Sequence, residues 1–263
     1  EWNGYDYMVR EGEPVGQMWG YVNEGIYTVD DFDFNPNADS EDGLYTLKKG
    51  IVGPKDGNVR PGYWKYKDLN GDGIIDGSDE KVIGKAHPKI YGGITNDFTF
   101  KGFDLTFVLN YSIGGKVYNA NKMFYTMTKN RYKNALDDVL HRFTYIDKNG
   151  VNVYDNPDAL RELNSHNTYG SLHGTQNLQF SSKFVEGASY LRLSNITLGY
   201  TVPKKLLRKI GIQRLRFYAS INNLFTITGY SGFDPEVDTR SNGGLTPNID
   251  WGAYPRAMTT LFG

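Results

Sequence analysis

Residues 90–113 constrain the fold more tightly than any other stretch of this chain. In "IYGGITNDFTF", 90–100, Ile90, Ile94, Phe98 and Phe100 share one parity, while Tyr91, Thr95, Asp97 and Thr99 share the other. In "FDLTFVLNYSI", 103–113, Phe103, Leu105, Phe107, Leu109, Tyr111 and Ile113 alternate with Asp104, Thr106, Asn110 and Ser112. Successive strand side chains point to opposite faces, so this alternation predicts two strands with one apolar face each. Only Lys101 and Gly102 separate them, a two-residue hairpin signal. Such a turn opposes Phe100 to Phe103, Phe98 to Leu105 and Ile94 to Leu109. Cross-strand partners share a face, so the two apolar faces merge into one surface. Its height matches the ~9–11 residues of a tilted transmembrane β-strand.

The pattern recurs. In 213–228, Leu215, Phe217, Ala219, Ile221, Phe225 and Ile227 alternate with Arg214, Arg216, Tyr218, Ser220, Asn222 and Thr226. In 189–202, Ile196, Leu198, Tyr200 and Val202 share a parity that Leu191 and Leu193 break, and a bulge near Ser194 and Asn195 reconciles them. Residues 14–29 form a weaker strand candidate. The connections at 101–102 and 203–212 are short, whereas 30–89, 114–185 and 229–255 are long. Alternating short and long connections are the pattern of an outer-membrane barrel, with short periplasmic turns and long extracellular loops. Two short loop helices are expected. Tyr132, Leu136, Val139, Leu140 and Phe143 fall at helical spacing in 131–143, and Asn156 before Pro157 starts a second over 156–163.

Composition agrees with a β-rich class. The chain has 20 Tyr, 14 Phe and 31 Gly but no Cys, which excludes a disulfide scaffold, a Cys zinc site and a Cys nucleophile. A net charge of -1 and the absence of a basic stripe set nucleic acid aside as a partner. No run approaches the ~18 apolar residues of a transmembrane helix, which leaves a membrane β-barrel open. The chain begins at Glu1 and stops inside a strand-like "TTLFG", so it is expected to be a fragment.

One segment carries metal-ligand spacing. In "DLNGDGIIDGSDE", Asp68, Asn70, Asp72, Ile74, Asp76 and Asp79 occupy positions 1, 3, 5, 7, 9 and 12 of a calcium loop, with Gly73 at the sharp turn and Ile75 as an inward anchor. Asp68, Asn70, Asp72 and Asp79 would bind by side chain, Ile74 by its carbonyl, and Asp76 directly or through water. Asp in place of Glu at position twelve shortens the arm. The flanks "PGYWKYK" and "EKVIGKAHPKIYG" are strand-like, so a calcium sensor with paired helices is rejected in favour of structural Ca2+ in a loop. The competing reading is an Asp/Asn/Gly turn without metal.

The other candidates are weaker. His87, His141, His166 and His173 show no metal spacing and read as solvated loop residues. No two carboxylates stand in a recognisable catalytic context, so no enzyme is expected. Tyr230, Phe233, Trp251 and Tyr254 could stack on sugar rings, or belong to a loop core or an interfacial girdle. Tyr200 and Phe225 are girdle candidates.

The segment "YLRLSNITLGYTVPKKLLRKIGIQRLRFYASINNLFTITGYSGFDPEV", 190–237, resembles the C-terminal signature of SusC/RagA-type TonB-dependent outer-membrane transporters. "EGEPVGQMWGYVNEGIYT", "KYKDLNGDGIIDGSDEKVIGKAHPKIYGGITNDFTFKGFDLTF" and "YPRAMTTLFG" are similar to the family in the same order, and 114–180 is the least similar. The resemblance implies an all-β fold, in which 1–263 is the C-terminal portion of an antiparallel, roughly 22-stranded transmembrane β-barrel. It would comprise the last five strands and part of a sixth, without plug, TonB box or N-terminal strands. By resemblance the parent protein sits in the outer membrane of a Gram-negative bacterium and imports oligosaccharides or peptides. Its implied partners are TonB, a SusD-like surface lipoprotein acting as a lid, the rest of the same barrel and outer-membrane lipid. The alternative is a secreted, soluble β-rich module, carbohydrate-binding or adhesive, with a calcium-stiffened loop. The face bearing Phe98, Phe100, Phe103, Leu105, Phe107 and Leu109 discriminates. It is exposed in a barrel wall and covered in a module.

Overall fold

A computed structural model describes residues 2–3, 6–55, 57–126, 132, 134–172, 178–239 and 244–263. The chain divides into two compact units. One is built mainly from Glu1–Gly84 and Asn119–Val185, the other from Lys85–Tyr118, Glu186–Asn242 and Pro247–Gly263.

The second unit is built on an antiparallel sheet of five strands: β1 (Pro88–Phe100), β2 (Phe103–Gly114), β3 (Tyr190–Thr201), β4 (Arg216–Thr228) and β5 (Thr259–Phe262). They neighbour one another in chain order and do not close into a barrel. The β1–β2 turn places Lys101 at φ 47° and Gly102 at φ 90°. Positive φ at both central residues is the two-residue hairpin geometry that follows the strand twist. A side chain at Gly102 would also meet the Thr201 carbonyl oxygen at 2.8 Å. The register follows: Phe100 opposes Phe103, Phe98 opposes Leu105, and Ile94 opposes Leu109.

The parity break in β3 is a bulge at Ser194. Val108 pairs with Asn195 and the next residue, Leu109, with Leu193, which leaves Ser194 as the extra residue. On the other side β4 inserts two residues between Asn222 and Phe225, and Asn223 takes φ 52° there. One extra residue flips parity and two restore it, so β4 keeps one apolar parity while β3 changes.

The first unit is a different kind of structure. Its strands are short and its sheets small. Trp2–Asn3, Tyr7–Val9, Gln17–Gly20 and Lys81–Lys85 form one sheet, while Asn23–Ile26 pairs with Trp64–Tyr66 and Phe32–Phe34 with Tyr45–Leu47. Its core is tyrosine-rich: Tyr27, Val29, Phe32, Tyr45, Val59, Tyr63, Phe143, Tyr145, Tyr154 and Leu160 pack together. Three of the buried tyrosines are hydrogen-bonded to backbone carbonyls. Tyr27 donates to Val52 O at 2.7 Å, Tyr45 to Tyr154 O at 2.9 Å and Tyr145 to Pro61 O at 2.8 Å. A buried hydroxyl without such a bond carries a desolvation cost.

Two expectations change. Residues 14–29 form two short strands, Gln17–Gly20 and Asn23–Ile26, in different small sheets of the first unit. Their apolar residues include Met18, Tyr27 and Val29, which are buried, and the wall therefore has four long strands and one short one. The helix expected over 131–143 is a five-residue 3-10 turn, Asp137–His141, and Tyr132 is almost fully exposed; residues 131 and 133 lie outside the described residues. Of the apolar residues at helical spacing there, Phe143 is buried and Val139 half-buried, whereas Leu136 and Leu140 face solvent. The second helix forms at Pro157–Leu163, with the Asn156 side chain accepting from Ala159 N at 3.1 Å. A further helix forms at Ala120–Thr126, with the Asn119 side chain accepting from Lys122 N at 2.9 Å.

Candidate functional site

The five-strand sheet has two chemically distinct faces. The apolar one is built in rows across the strands: Phe100, Phe103, Tyr200 and Phe217; Phe98, Leu105, Leu198, Ala219 and Phe262; Ile94, Leu109, Leu193 and Phe225. Neighbouring rings touch, with Phe98 and Phe107 stacked at 6.0 Å between centroids and Phe103 and Tyr200 at 4.6 Å. Leu193 is buried, but most of this face is left uncovered by the described residues. Ile94 is 51% exposed, Phe98 56%, Phe100 70% and Phe103 52%. Contiguous apolar surface on this scale is not sustained in water and marks contact with a partner or a membrane.

The opposite face is a polar network. Asn195 donates to Ser220 at 3.0 Å and to Asn222 at 2.8 Å, and Thr197 and Ser220 share a hydroxyl contact at 2.7 Å. The Arg216 guanidinium engages both carboxylate oxygens of Asp104, and Thr106 donates to Asp97. At the loop end of the sheet, buried Arg192 donates to Thr226 at 3.0 Å, to Glu236 at 2.9 Å and to Asp234 at 2.6 Å. Arg256 closes the quartet on the same two carboxylates, at 3.3 Å and 2.8 Å. This ties the loop after β4 to the polar face of β3. Arg192 sits at an ordinary polar-parity position, so no pattern in the strand announces its partners 42 and 44 residues away. A cleft of about 340 Å³ adjoins the quartet, lined by residues that include Tyr91, Ser112, Tyr190, Glu236 and Asp238.

The calcium-pattern loop lies in the first unit. Gly73 has φ 85° and Gly71 φ 77°, the turn conformations that glycine adopts without strain. Ile75 is buried as the anchor, and Ile74–Ile75 pairs in parallel with Gly53–Pro54. Each carboxylate faces backbone N–H groups of its own loop. Asp68 accepts from Gly71 at 2.6 Å and Gly73 at 2.9 Å, Asp72 from Ile74 at 2.9 Å, and Asp76 from Ser78 at 2.8 Å. Asn70 accepts from Asp72 N and donates to the Asp72 carboxylate. Asp79, fully buried, accepts from Leu69 N at 2.8 Å and Asp76 N at 2.9 Å, clasping the two ends of the loop. The Ser78 N–H and hydroxyl hold the Asp76 carboxyl below the usual carboxylate range. Among the described residues no three acidic or histidine side chains gather as a metal cluster. The six predicted ligands thus share one loop, ordered by its own backbone.

The aromatic candidates separate. Phe233, Trp251 and Tyr254 are exposed, but Tyr230 is buried and donates to Asp250 at 2.7 Å. It packs with Val117, Ala188 and Val237, so it belongs to the loop core and is not a stacking platform. Phe225 is part-exposed on the apolar face, as a girdle residue would be. His87, His141 and His166 are exposed, and His173 lies outside the described residues.

TonB-dependent receptor P3 of Formosa agariphila is 30% identical over 263 residues, covering 97% of this chain and 22% of that protein. TonB-dependent receptor SusC of Bacteroides thetaiotaomicron is 31% identical over 210 residues, covering 79% of this chain and 18% of that protein. The RagAB peptide importer in its closed-closed state superposes with a TM-score of 0.60 at 21% identity, covering 99% of this chain and 24% of that one. No family model matches. The chain therefore spans about a quarter of the length of these proteins or less. The structural likeness is one of fold, an antiparallel barrel-type wall that five strands leave open.

Proposed function

This chain belongs to the SusC/RagA-type TonB-dependent receptors, and from that premise we propose that the complete protein is an outer-membrane nutrient importer. The observation that carries the reading is the uncovered apolar face of β1 to β4 backed by a polar network. A lipid-facing exterior and a polar interior are what a membrane barrel wall requires. Five strands leave two edges with unpaired backbone groups, which hydrocarbon does not tolerate, so β1 and β5 pair with further strands of the same barrel. In this reading 1–263 is one portion of the barrel. The short connections face the periplasm, and the long connections face outside. The cargo is an oligosaccharide or a peptide, carried inward by energy relayed from TonB, with a SusD-like lipoprotein as the lid over those loops. The chain's residues are assigned no catalytic step.

The test uses the full-length protein in liposomes. A fluorophore on Phe98→Cys should be quenched by brominated lipid, and one on Thr106→Cys should not. Equal, weak quenching at both sites, with the protein recovered in the soluble fraction, would overturn the reading.

We also propose that the 68–79 loop holds structural calcium. Support comes from the oxygen-only donor set and its spacing, and from carboxylate oxygens that keep a second lone pair beyond each N–H bond. Asp68, Asn70, Asp72 and Asp79 would bind by side chain, Ile74 by its carbonyl and Asp76 directly or through water. Calorimetric titration should release or absorb heat that Asp72→Ala abolishes. No heat from the unaltered protein would remove the proposal.

A further inference from the structure

The connection between β3 and β4 has a composition unlike the rest of the chain. From Pro203 to Leu215 it carries Lys204, Lys205, Arg208, Lys209 and Arg214 and no Asp or Glu, and Arg216 opens β4, in a chain of 29 basic and 30 acidic residues. Its backbone is helical over Lys204–Leu207, continues as a 3-10 turn over Arg208–Ile210, and stops at Gly211 with φ 72°. That folding turns Leu207 inward and leaves Leu206 62% and Ile210 64% exposed. Lys204, Lys205, Arg208 and Lys209 are exposed as well, and among the described residues none of the four has an ion-pair partner. Arg216, by contrast, is neutralised by Asp104.

The position of this segment matters as much as its chemistry. It begins just past the row Phe100, Phe103, Tyr200 and Phe217, and the β1–β2 turn lies at the same end, where Thr201 N donates to Gly102 O at 2.7 Å. Lys101 of that turn adds a further cation, its ammonium 5.1 Å from the Phe100 ring centroid. Strands of 12 and 13 residues, rising ~3.3 Å per residue at a tilt near 45°, cover roughly 30 Å, the thickness of the hydrocarbon core. A connection at the strand ends therefore lies at headgroup level. Exposed aliphatic side chains next to uncompensated Lys and Arg are the makeup of an interfacial segment, with stems along apolar surface and charged heads at phosphates.

We propose that 203–212 is a binding site for anionic phospholipid headgroups in the leaflet at the short-connection end of the wall. Leu206 and Ile210 enter the acyl boundary, and Lys204, Lys205, Arg208 and Lys209 take the phosphates. The inference rests on the membrane-wall reading above. The experiment compares full-length protein in nanodiscs of phosphatidylethanolamine with and without phosphatidylglycerol, counting retained phosphatidylglycerol by native mass spectrometry after detergent extraction. A variant combining Lys204→Gln, Lys205→Gln, Arg208→Gln and Lys209→Gln should lose retained phosphatidylglycerol several-fold. A charge-matched control combining Lys49→Gln, Lys55→Gln, Lys81→Gln and Lys148→Gln should retain as much as the unaltered protein. Resistance of the folded barrel to unfolding on unheated gels verifies that both variants fold; if the quadruple variant does not, Leu206→Ser with Ile210→Ser takes its place, with the same loss expected. Equal retention in variant and unaltered protein would overturn the inference, as would a periplasmic protein cross-linking to 204–210 with lipid retention unchanged. Failure of the full-length protein to enter the nanodisc at all would instead bring down the membrane-wall reading.

Discussion

Tyr45 and Phe103 are both aromatic residues on antiparallel strands, and they meet opposite surroundings. Tyr45 is buried in the first unit, edge-on to Phe32 at 6.0 Å, with its hydroxyl on the Tyr154 carbonyl. Phe103 touches Tyr200 along the sheet yet is half open to whatever lies outside it. The aromatics of the first unit's core are mainly tyrosines, and those of the wall's apolar face mainly phenylalanines. The difference tracks solvent. A core assembled from short strands and turns offers carbonyls that a phenol can reach, whereas a hydrocarbon-facing surface offers none. Apolar residues thus drive one unit inward and turn the other outward, and the two should respond differently to the same perturbations.

The strongest contrast comes from removing apolar mass at Leu160, which is fully buried in the tyrosine core. Leu160→Ala should cost about 2–5 kcal/mol in urea titrations of the first unit's transition, whether the full-length protein is in detergent or bilayer. A charge on the wall should behave otherwise. Ile94→Arg, at mid-strand on the apolar face, should cost about 2–4 kcal/mol in a bilayer. An exposed position of a soluble module would register within about 0.5 kcal/mol. A near-zero change in bilayers would break the comparison.

Alkali should act on the first unit's tyrosine core next. Burial is the main cause that pushes Tyr45 and Tyr21 up to about 12, and it pushes Tyr27, Tyr66, Tyr145 and Tyr154 up as well. The folded state therefore holds these protons more tightly than the unfolded chain, whose tyrosines ionise at 10.0. Their contribution to stability is complete below pH 10 and is lost as pH rises from there through about 12. Tyrosinate absorbance and first-unit unfolding should rise together in that window. Simple, reversible ionisation near pH 10 without unfolding would contradict it. The smallest effect is expected at Tyr154, whose hydroxyl is buried without a hydrogen-bond partner among the described residues. Tyr154→Phe keeps the ring contacts to Tyr45 and Tyr145 at 5.0 Å and 4.7 Å. It removes a desolvated group and should raise stability by about 1 kcal/mol.

The wall was legible before the structure because its information is local. Period-two alternation names the face, Lys101 and Gly102 set the hairpin register, and the parity break at Leu193 locates the bulge at Ser194. Residues 14–29 read the same way locally, yet belong to the other unit. Alternation marks one apolar face without saying whether protein or lipid will meet it. The calcium-pattern loop was legible as a turn, since Gly73, Asp68 and Asp79 act within a dozen residues of one another. The quartet of Arg192, Asp234, Glu236 and Arg256 was not, nor was the burial of Tyr230 against Asp250.

Strand class, register and the existence of an apolar surface are decided over two to ten residues, where backbone sterics and turn conformation act, so the amino-acid order alone determines them. Which loop carboxylate meets Arg192, and which aromatics are sheltered, depends on chain segments forty or more residues apart being brought together. Those choices come from packing and charge pairing in three dimensions. The only quantity that ranks them is the desolvation each group suffers in its final place.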